Sequence, residues 1–545
     1  MTERTGGEAI VDLLATLGVR HVFGIVSVHN LPIFDALARD HRVELVPVRH
    51  EQGGVHAADG YARATGSLGV VITSTGPGAA NGMGGLFEAA YASSPVLMIT
   101  GQVETAYLGK GRGYIHNADR QAEMLGTVVR AAATVERRED LVDAFARVVT
   151  EMRRGRAMPG AVEIPIDLQS KQYDDPPFAV EPPAVTAPDP KSVTEAAELL
   201  RGARSPLIWA GGGVAAAGAT AELRQLAERL NAPVLTSIEG RGAIPEDHPL
   251  ALGPNADMSV LDPIIAAADV VLAVGTRFQM ATPVARALTI PGALIHLDVD
   301  PTVIGLIYPP RVAMAGDARA GLQALLEQVD SGSADADYVD SAKAARAAAD
   351  AETYDAIGPD FTRISGIIRD ALPRDAIVVK DTTIAATIWA NRTLPVYEPR
   401  TSMRATSMAI GPGLPLALGA AVATGKPTVV IQGDGGLMLS VGELATLVQQ
   451  QVPVVVCVFN DGGYGILRYI QTVGFDGRHT GVDLATPDFC ALAASVGLDA
   501  APVRGVDEFE KAFTAALGSG KPYLLDIDLA ALTPIQIRSQ RPSTR

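Results

Sequence analysis

The sequence predicts an α/β protein of three doubly wound parallel sheets, and three observations carry that prediction. Short apolar strand runs alternate with apolar residues at helical spacing. Glycine-rich turns follow several strand runs directly, and two stretches rich in proline or small polar residues divide the alternation into three units. With 545 residues, 48% of them hydrophobic, the chain can bury several separate cores.

The first unit, placed at 1–173, opens on a helix in which Ile10, Leu13, Leu14 and Leu17 share one face, and a strand follows at 21–26. Strand runs at 43–48, 68–73 and 95–100 alternate with helical patterns at 52–65 and 79–92, and 160–167 adds a further strand. Proline-rich 174–190 is a linker. The second unit, 190–330, has strand runs at 206–210, 234–237, 269–275 and 293–298. A Ser-Gly-Ser-Ala-Asp-Ala-Asp linker at 331–337 leads through an alanine-rich helical stretch to the third unit, 355–535, with strand runs at 376–380, 427–432 and 452–459. The chain carries no short-period repeat, but the first and third units look alike in strand order.

Charge and cysteine usage narrow the partners. A net charge of −16 and a pI near 5.1 argue against nucleic acid or an anionic membrane, since either would repel the chain. Cys457 and Cys490 have no metal-type spacing and read as inert thiols. The first residues lack the basic-then-apolar order of a signal peptide, and no apolar run reaches spanning length, so a cytoplasmic enzyme without a membrane partner is expected.

The stretch 433–471 holds the strongest chemical signal. Gly433-Asp434-Gly435-Gly436 follows a strand run and makes a tight turn whose missing side chains let backbone N–H groups approach a phosphate. Val441, Leu444 and Leu447 suggest a helix over 440–450 with an anion-favouring N-terminus. The next strand delivers Asn460-Asp461-Gly462-Gly463 to the same sheet edge. Asp434, Asp461 and the Gly463 carbonyl supply hard oxygen ligands of the kind Mg²⁺ takes alongside substrate phosphate.

This pairing of GDGG with NDGG resembles the GDG…NN signature of thiamine-diphosphate (ThDP) enzymes, the superfamily of acetolactate synthases, 2-oxo-acid decarboxylases and benzaldehyde lyase. The family usually has Asn where this chain has Asp461, which adds a negative charge beside the diphosphate. The resemblance implies two ThDP-binding domains flanking a Rossmann-like central one. It also implies cofactor contacts from Gly433, Asp434, Gly435, Gly436, Asp461, Tyr464 and Gly465.

Other motifs extend it. Alone, Glu51 reads as a first-turn carboxylate offsetting a helix macrodipole. In Arg49-His50-Glu51-Gln52-Gly53-Gly54, continued by Ala57-Ala58-Asp59-Gly60-Tyr61-Ala62, it resembles the family's activating glutamate, which shares a proton with the cofactor's pyrimidine ring. Ile410, before Gly411-Pro412-Gly413-Leu414-Pro415, matches the apolar wedge under the bent cofactor, and the Met408 carbonyl matches the acceptor for its amino group. Asn81 belongs to a glycine turn resembling the one beside the cofactor. Asp381, Thr382 and Thr383 offer donors to the diphosphate or, equally, a helix cap. Because glutamate and clamp lie on different domains, the resemblance implies sites built between subunits. A homodimer is then the minimum, and a homotetramer is common in the family.

Val28 stands where decarboxylases place Ser or Asp, and His29 stands where benzaldehyde lyase has a histidine. His116, in a Gly-Arg-Gly-x-x-His loop resembling the 5-guanidino-2-oxopentanoate decarboxylase branch, is a candidate proton relay. Gly211-Gly212-Gly213 is a decayed dinucleotide turn, and Arg277-Phe278-Gln279-Met280 only partly matches the FAD segment of acetolactate synthases. A nucleotide-free central domain is expected, with FAD as the alternative.

The implied function is ThDP- and Mg²⁺-dependent cleavage or formation of a carbon–carbon bond beside a carbonyl. That means acetolactate-synthase-like carboligation or decarboxylation of a 2-oxo acid. The alternatives are an aldehyde lyase or a decarboxylase of a larger 2-oxo acid. Outside the enzymes stands a catalytically silent ThDP-fold subunit, against which Glu51 argues.

Overall fold

The computed structural model describes residues 3–112, 114–174, 185–279, 288–290, 292–332 and 334–535. Most of the expected linker at 174–190 lies outside them, as do Gly113, Met280 and Ser333.

The N-terminal unit contains β1 (Glu3–Thr5), β2 (His21–Gly24), β3 (Glu44–Pro47), β4 (Gly69–Thr73), β5 (Val96–Gln102), β6 (Ala131–Thr134), β7 (Gly160–Pro165) and β8 (Gln172–Asp174). Strands β2 to β7 form one parallel sheet in the order β3-β2-β4-β5-β7-β6, while β1 and β8 pair antiparallel. The central unit holds β9 (Pro206–Ala210), β10 (Val234–Thr236), β11 (Ala251–Gly253), β12 (Val270–Val274), β13 (Ala293–Asp298) and β14 (Val312–Ala315), in the order β11-β10-β9-β12-β13-β14. The C-terminal unit holds β15 (Ile377–Lys380), β16 (Ser402–Arg404), β17 (Thr428–Gly433), β18 (Val454–Asn460), β19 (Asp499–Val503) and β20 (Tyr523–Asp528), in the order β16-β15-β17-β18-β20-β19.

The first and third sheets thus share one strand order, and the central sheet has the order of dinucleotide-binding folds. Every residue of β4, β5, β7, β9 and β12 is buried, because parallel sheets carry helices on both faces. That two-sided burial is why these strands read as unbroken apolar runs.

Two helix expectations need correction. The helix expected over 79–92 is divided into Pro77–Asn81 and Met83–Ala92 at Gly82, where a Cβ would meet the Met98 side chain at 2.4 Å. The helix expected over 440–450 begins at Glu443, and the turn Asp434–Leu437 follows β17 directly. The anion-facing helical turn is therefore the one that starts at Asp434. A long helix, Ala336–Ala371, enters the third unit and is kinked at Gly358 (φ 77°) before Pro359.

One contact positions the rest. Helix Gly413–Thr424 of the C-terminal unit lies directly on helix Glu51–Thr65 of the N-terminal unit. A Cβ at Gly60 would sit 2.1 Å from the Leu416 carbonyl oxygen, and one at Gly419 only 1.8 Å from that of Ala57. Val55, Ala58 and Tyr61 join Leu414, Ala417 and Leu418 in a shared core. The outer units are consequently one packed body, and the start of the Glu51 helix is fixed against the C-terminal unit.

Candidate active site

The N-terminal half of the site gathers at the carboxyl ends of β2 to β5. Glu51 occupies the first turn of its helix, where His50 Nδ1 caps the Gln52 N–H at 3.2 Å. Its Oε2 accepts from Asn81 Nδ2 at 3.1 Å, and its Oε1 lies where a Cβ at Gly78 would be 2.9 Å away. Beside it, β4 leads into Ser74-Thr75-Gly76. Gly76 has φ 56°, and a Cβ there would meet the His116 carbonyl oxygen at 2.4 Å. That close approach brings His116, itself left-handed at φ 60°, within 3.4 Å of Ser74 Oγ through Nδ1.

His29 is buried behind His116, with ring centroids 5.6 Å apart. Burial, and then the neighbouring imidazole, lower the His29 pKa, so its ring stays neutral near pH 7. Its Nδ1 has no hydrogen-bond partner among the described residues. Val28, by contrast, is exposed next to it.

Three supporting side chains were not singled out from the sequence. Gln121 accepts the Gly76 N–H at 2.6 Å and the Thr75 hydroxyl at 3.0 Å, then donates to Glu163 at 2.9 Å, which fixes the turn below His116. Ser74 is the second. The third, Glu443, accepts the N–H groups of Arg49 and His50 at 3.0 and 3.1 Å and so anchors the backbone leading into Glu51. No spacing rule marks such residues, since their partners are distant in sequence.

The C-terminal half lies at the carboxyl ends of β15, β17 and β18. Asp434 is buried: Oδ1 accepts the Asp461 N–H at 3.4 Å, whereas Oδ2 has no hydrogen-bond partner among the described residues. Burial raises the Asp434 pKa. Burial and then the Asp434 charge push Asp461 up to about 6, with Arg468 opposing from 3.4 Å. Two carboxylates facing one another, one with an orphaned oxygen, make a pair that a cation would relieve. No cluster of three His, Cys, Asp or Glu exists among the described residues.

Glycines shape the cradle. A Cβ at Gly435 would strike the Tyr464 ring at 2.7 Å, one at Gly436 the Asp381 carboxylate at 2.3 Å, and one at Gly465 the Asp461 carboxylate at 1.8 Å. Gly433 ends β17 opposite Thr383. Asp381, pushed up to about 6 by burial, accepts the Gly411 N–H at 2.9 Å, and Thr383 Oγ1 accepts from Ala385 N–H at 3.2 Å. Thr383 therefore does act as a cap, and Thr382 lies half-buried beside it. Met408 sits in the left-handed region at φ 64°, exposed, and Ile410 is half-buried one turn on. Within the chain no hydrogen bond among the described residues joins the Glu51–His116 group to the Asp434–Asp461 group.

The residues fit a diphosphate–metal ligand on three grounds: the Asp434 oxygen that is unpartnered among the described residues, the glycine cradle, and the upward shift of both carboxyls, by burial at Asp434 and by burial plus the Asp434 charge at Asp461. In the central unit, Gly211 and Gly213 pack on Gly275, where a Cβ would sit 2.1 and 2.6 Å from its backbone. Phe278 fills the adjacent space against Trp209, His296 and Tyr308. No helix among the described residues is long and apolar enough to cross a membrane.

Comparison with known proteins agrees with this geometry. Residues 4–124 match the N-terminal TPP binding domain of thiamine pyrophosphate enzymes, 193–325 the central domain, and 385–527 the C-terminal TPP binding domain. The chain is 34% identical over 529 residues to a probable 2-ketoarginine decarboxylase of Pseudomonas aeruginosa, covering 96% of this chain and 94% of that one. It is 32% identical to a probable acetolactate synthase large subunit of Methanocaldococcus jannaschii, covering 96% and 91%. It is 31% identical to the acetolactate synthase isozyme 2 large subunit of Escherichia coli, covering 97% and 96%. Fold, site and relatives together establish that the chain belongs to the thiamine pyrophosphate enzyme family.

Proposed function

We propose that the protein decarboxylates a 2-oxo acid with ThDP and Mg²⁺. The observation that carries this reading is the His29–His116 pair beside Ser74 and Glu51, which places proton-transfer groups on one wall of the site. When bound, ThDP supplies a carbon nucleophile and an electron sink for the bond to be cleaved. Asp434, Asp461 and the Gly463 carbonyl would hold Mg²⁺ against the diphosphate, with Gly433, Gly435 and Gly436 leaving backbone room for it. Asp381, Thr382, Thr383, Tyr464 and Gly465 line the rest of the cradle. The Met408 carbonyl and Ile410 would support the heterocyclic end. Asn81 orients Glu51, whose carboxyl would hold the proton to be shared with the cofactor ring. His116 Nδ1 can exchange a proton with Ser74 Oγ, and His29, kept neutral, backs that imidazole.

A second reading, carboligation, is supported by exposed apolar Val28, which supplies no proton beside the histidines. Chromatography of products from one 2-oxo acid, with and without an acceptor aldehyde, separates the two: free aldehyde alone supports decarboxylation, and a coupled product supports carboligation. Names of relatives favour neither, since one is a decarboxylase and others are acetolactate synthases.

The active unit in this reading is at least a homodimer, with a homotetramer as the larger form. The lack of any hydrogen bond between the two half-sites among the described residues supports it, as do exposed Met408, Met438, Leu439 and Leu467 on one half and Val26, Val28 and Ile115 on the other. The domain boundaries taken are 1–173, 190–330 and 355–535. The central domain is read as nucleotide-free, because Phe278 and the Gly211–Gly275 contact occupy the turn where FAD would enter. Two free thiols suit a cytoplasmic setting.

A further inference from the structure

Glu88 lies outside both half-sites, on helix Met83–Ala92 of the N-terminal unit, and its side chain has no exposed surface. Its carboxylate is directed entirely at the first and third units. Oε1 accepts the Thr406 N–H at 2.6 Å and Arg63 Nη2 at 2.6 Å. Oε2 accepts the Ser407 N–H at 2.9 Å and also the Ser407 hydroxyl. Arg63, on the Glu51 helix, is held by Asp59 at 2.9 and 2.8 Å and donates to the Arg404 carbonyl at 2.7 Å. Two N-terminal helices therefore converge on the segment that leaves β16.

Directly after that grip the backbone enters the left-handed region at Met408 (φ 64°) and runs to Ile410. A side chain at such a φ persists only where its surroundings over-determine it. Here the surroundings are identifiable: Glu88 holds 406 and 407 on one side, and Asp381 holds the Gly411 N–H on the other. Here the two adjacent N–H groups go to different oxygens, Thr406 to Oε1 and Ser407 to Oε2, an arrangement a carboxylate supplies and an amide, with one oxygen, does not. Although burial opposes ionisation, the Arg63 charge and the bonds from Ser407 bring the Glu88 pKa down to about 2, so the acceptor is charged at any physiological pH.

We propose that Glu88 is a positioning residue that sets the 405–411 loop in its cofactor-binding shape before the cofactor arrives, presenting the Met408 carbonyl and Ile410. This rests on the reading of the loop as the ThDP support. A merely structural role, gluing two units through the Asp59–Arg63–Glu88 cluster, would cost thermal stability without changing cofactor affinity.

Two variants and one measurement on the parent protein separate these. Glu88→Gln keeps the size and loses one acceptor, while Glu88→Asp keeps the charge opposite Arg63 but is one methylene too short to reach both N–H groups. Titration calorimetry with ThDP and Mg²⁺ is expected to show affinity weakened roughly ten- to a hundredfold in both, with KM for the 2-oxo acid changed less than about twofold. Affinity within about threefold of the parent in either folded variant overturns the proposal. Hydrogen–deuterium exchange on the cofactor-free parent decides even if neither variant folds. The Thr406 and Ser407 amides are expected to exchange at least about a hundredfold more slowly than unprotected amides before any ThDP is added. Protection that appears only with ThDP overturns the proposal. A parent that binds no ThDP while keeping these amides protected overturns the cofactor reading, and the positioning role with it.

Discussion

The Glu51 carboxylate accepts a hydrogen bond from the Asn81 side-chain amide at 3.1 Å, which ties the first turn of one helix to the last residue of another. Asn81 thereby sets the direction of the carboxyl group proposed to share a proton with the cofactor. Glu51→Gln is expected to keep the fold and ThDP binding while lowering kcat by about 10²- to 10⁴-fold, the range for losing a proton-transfer group. Asn81→Ala, which removes only the orienting bond, is expected to cost roughly tenfold. Steady-state kinetics with calorimetric ThDP binding checks both, and parent-like kcat in Glu51→Gln would remove Glu51 from the mechanism.

The proposed metal site has a pH signature. Asp461 titrates near 6 in the folded, metal-free protein against an ordinary 3.8, so the folded state binds the extra proton. A raised carboxyl pKa means the ionised pair destabilises the fold above about pH 6, and that penalty fades as pH falls through 6 toward 4. Mg²⁺ relieves the ionised pair only. Its thermal stabilisation with ThDP is therefore expected to be larger at about pH 7.5 than at about pH 5.5, and Asp461→Asn should flatten the difference while loosening the metal. Equal melting-temperature gains at both pH values would contradict the assignment, as would Asp434→Ala retaining ThDP through gel filtration.

Product partitioning tests the histidine wall. His116→Ala is expected to slow aldehyde release about ten- to a hundredfold, with a smaller change in KM. Val28→Asp adds a proton donor beside His29 and should shift any coupled product toward free aldehyde. Unchanged partitioning in both, measured by chromatography at high acceptor, would place proton delivery elsewhere.

The helix contact beneath Glu51 makes a stability prediction. A methyl at Gly419 would meet the Ala57 carbonyl oxygen at 1.8 Å, so Gly419→Ala must push the helices apart. A loss of about 3 kcal/mol or more is expected. Gly366→Ala, in a helix with nothing within 4 Å of the added methyl, should be neutral or stabilising by up to about 1 kcal/mol. Thermal melts of the two variants check the contrast.

What the sequence reveals follows from how each feature is stabilised. Central strands such as β4, β5 and β18 are buried on both faces and read directly as apolar runs. Several edge strands do not: β6 is Ala-Ala-Ala-Thr, which has no strand signature, β14 alternates over four residues, and β16 is three residues held by pairing with β15. β20, Tyr-Leu-Leu-Asp-Ile-Asp, carries an apolar signal but lies outside the strand runs read from the sequence. Asp434, Asp461 and Glu51 stand out because glycine turns surround them. Gln121, Glu443 and Glu88 act through backbone groups 45, 394 and 318 residues away, and only the packed units bring those partners together.

The central claim is that this chain cleaves 2-oxo acids through a cofactor held by the Asp434 cradle and activated by Glu51. Its most direct test is CO₂ release by purified protein with ThDP and Mg²⁺ across a panel of 2-oxo acids, short, branched and basic, with Glu51→Gln run in parallel. CO₂ is expected from at least one member of the panel, dependent on added ThDP and nearly abolished in Glu51→Gln. A parent protein that binds ThDP yet releases CO₂ from none of them, or a Glu51→Gln variant that releases it at the parent rate, would contradict it.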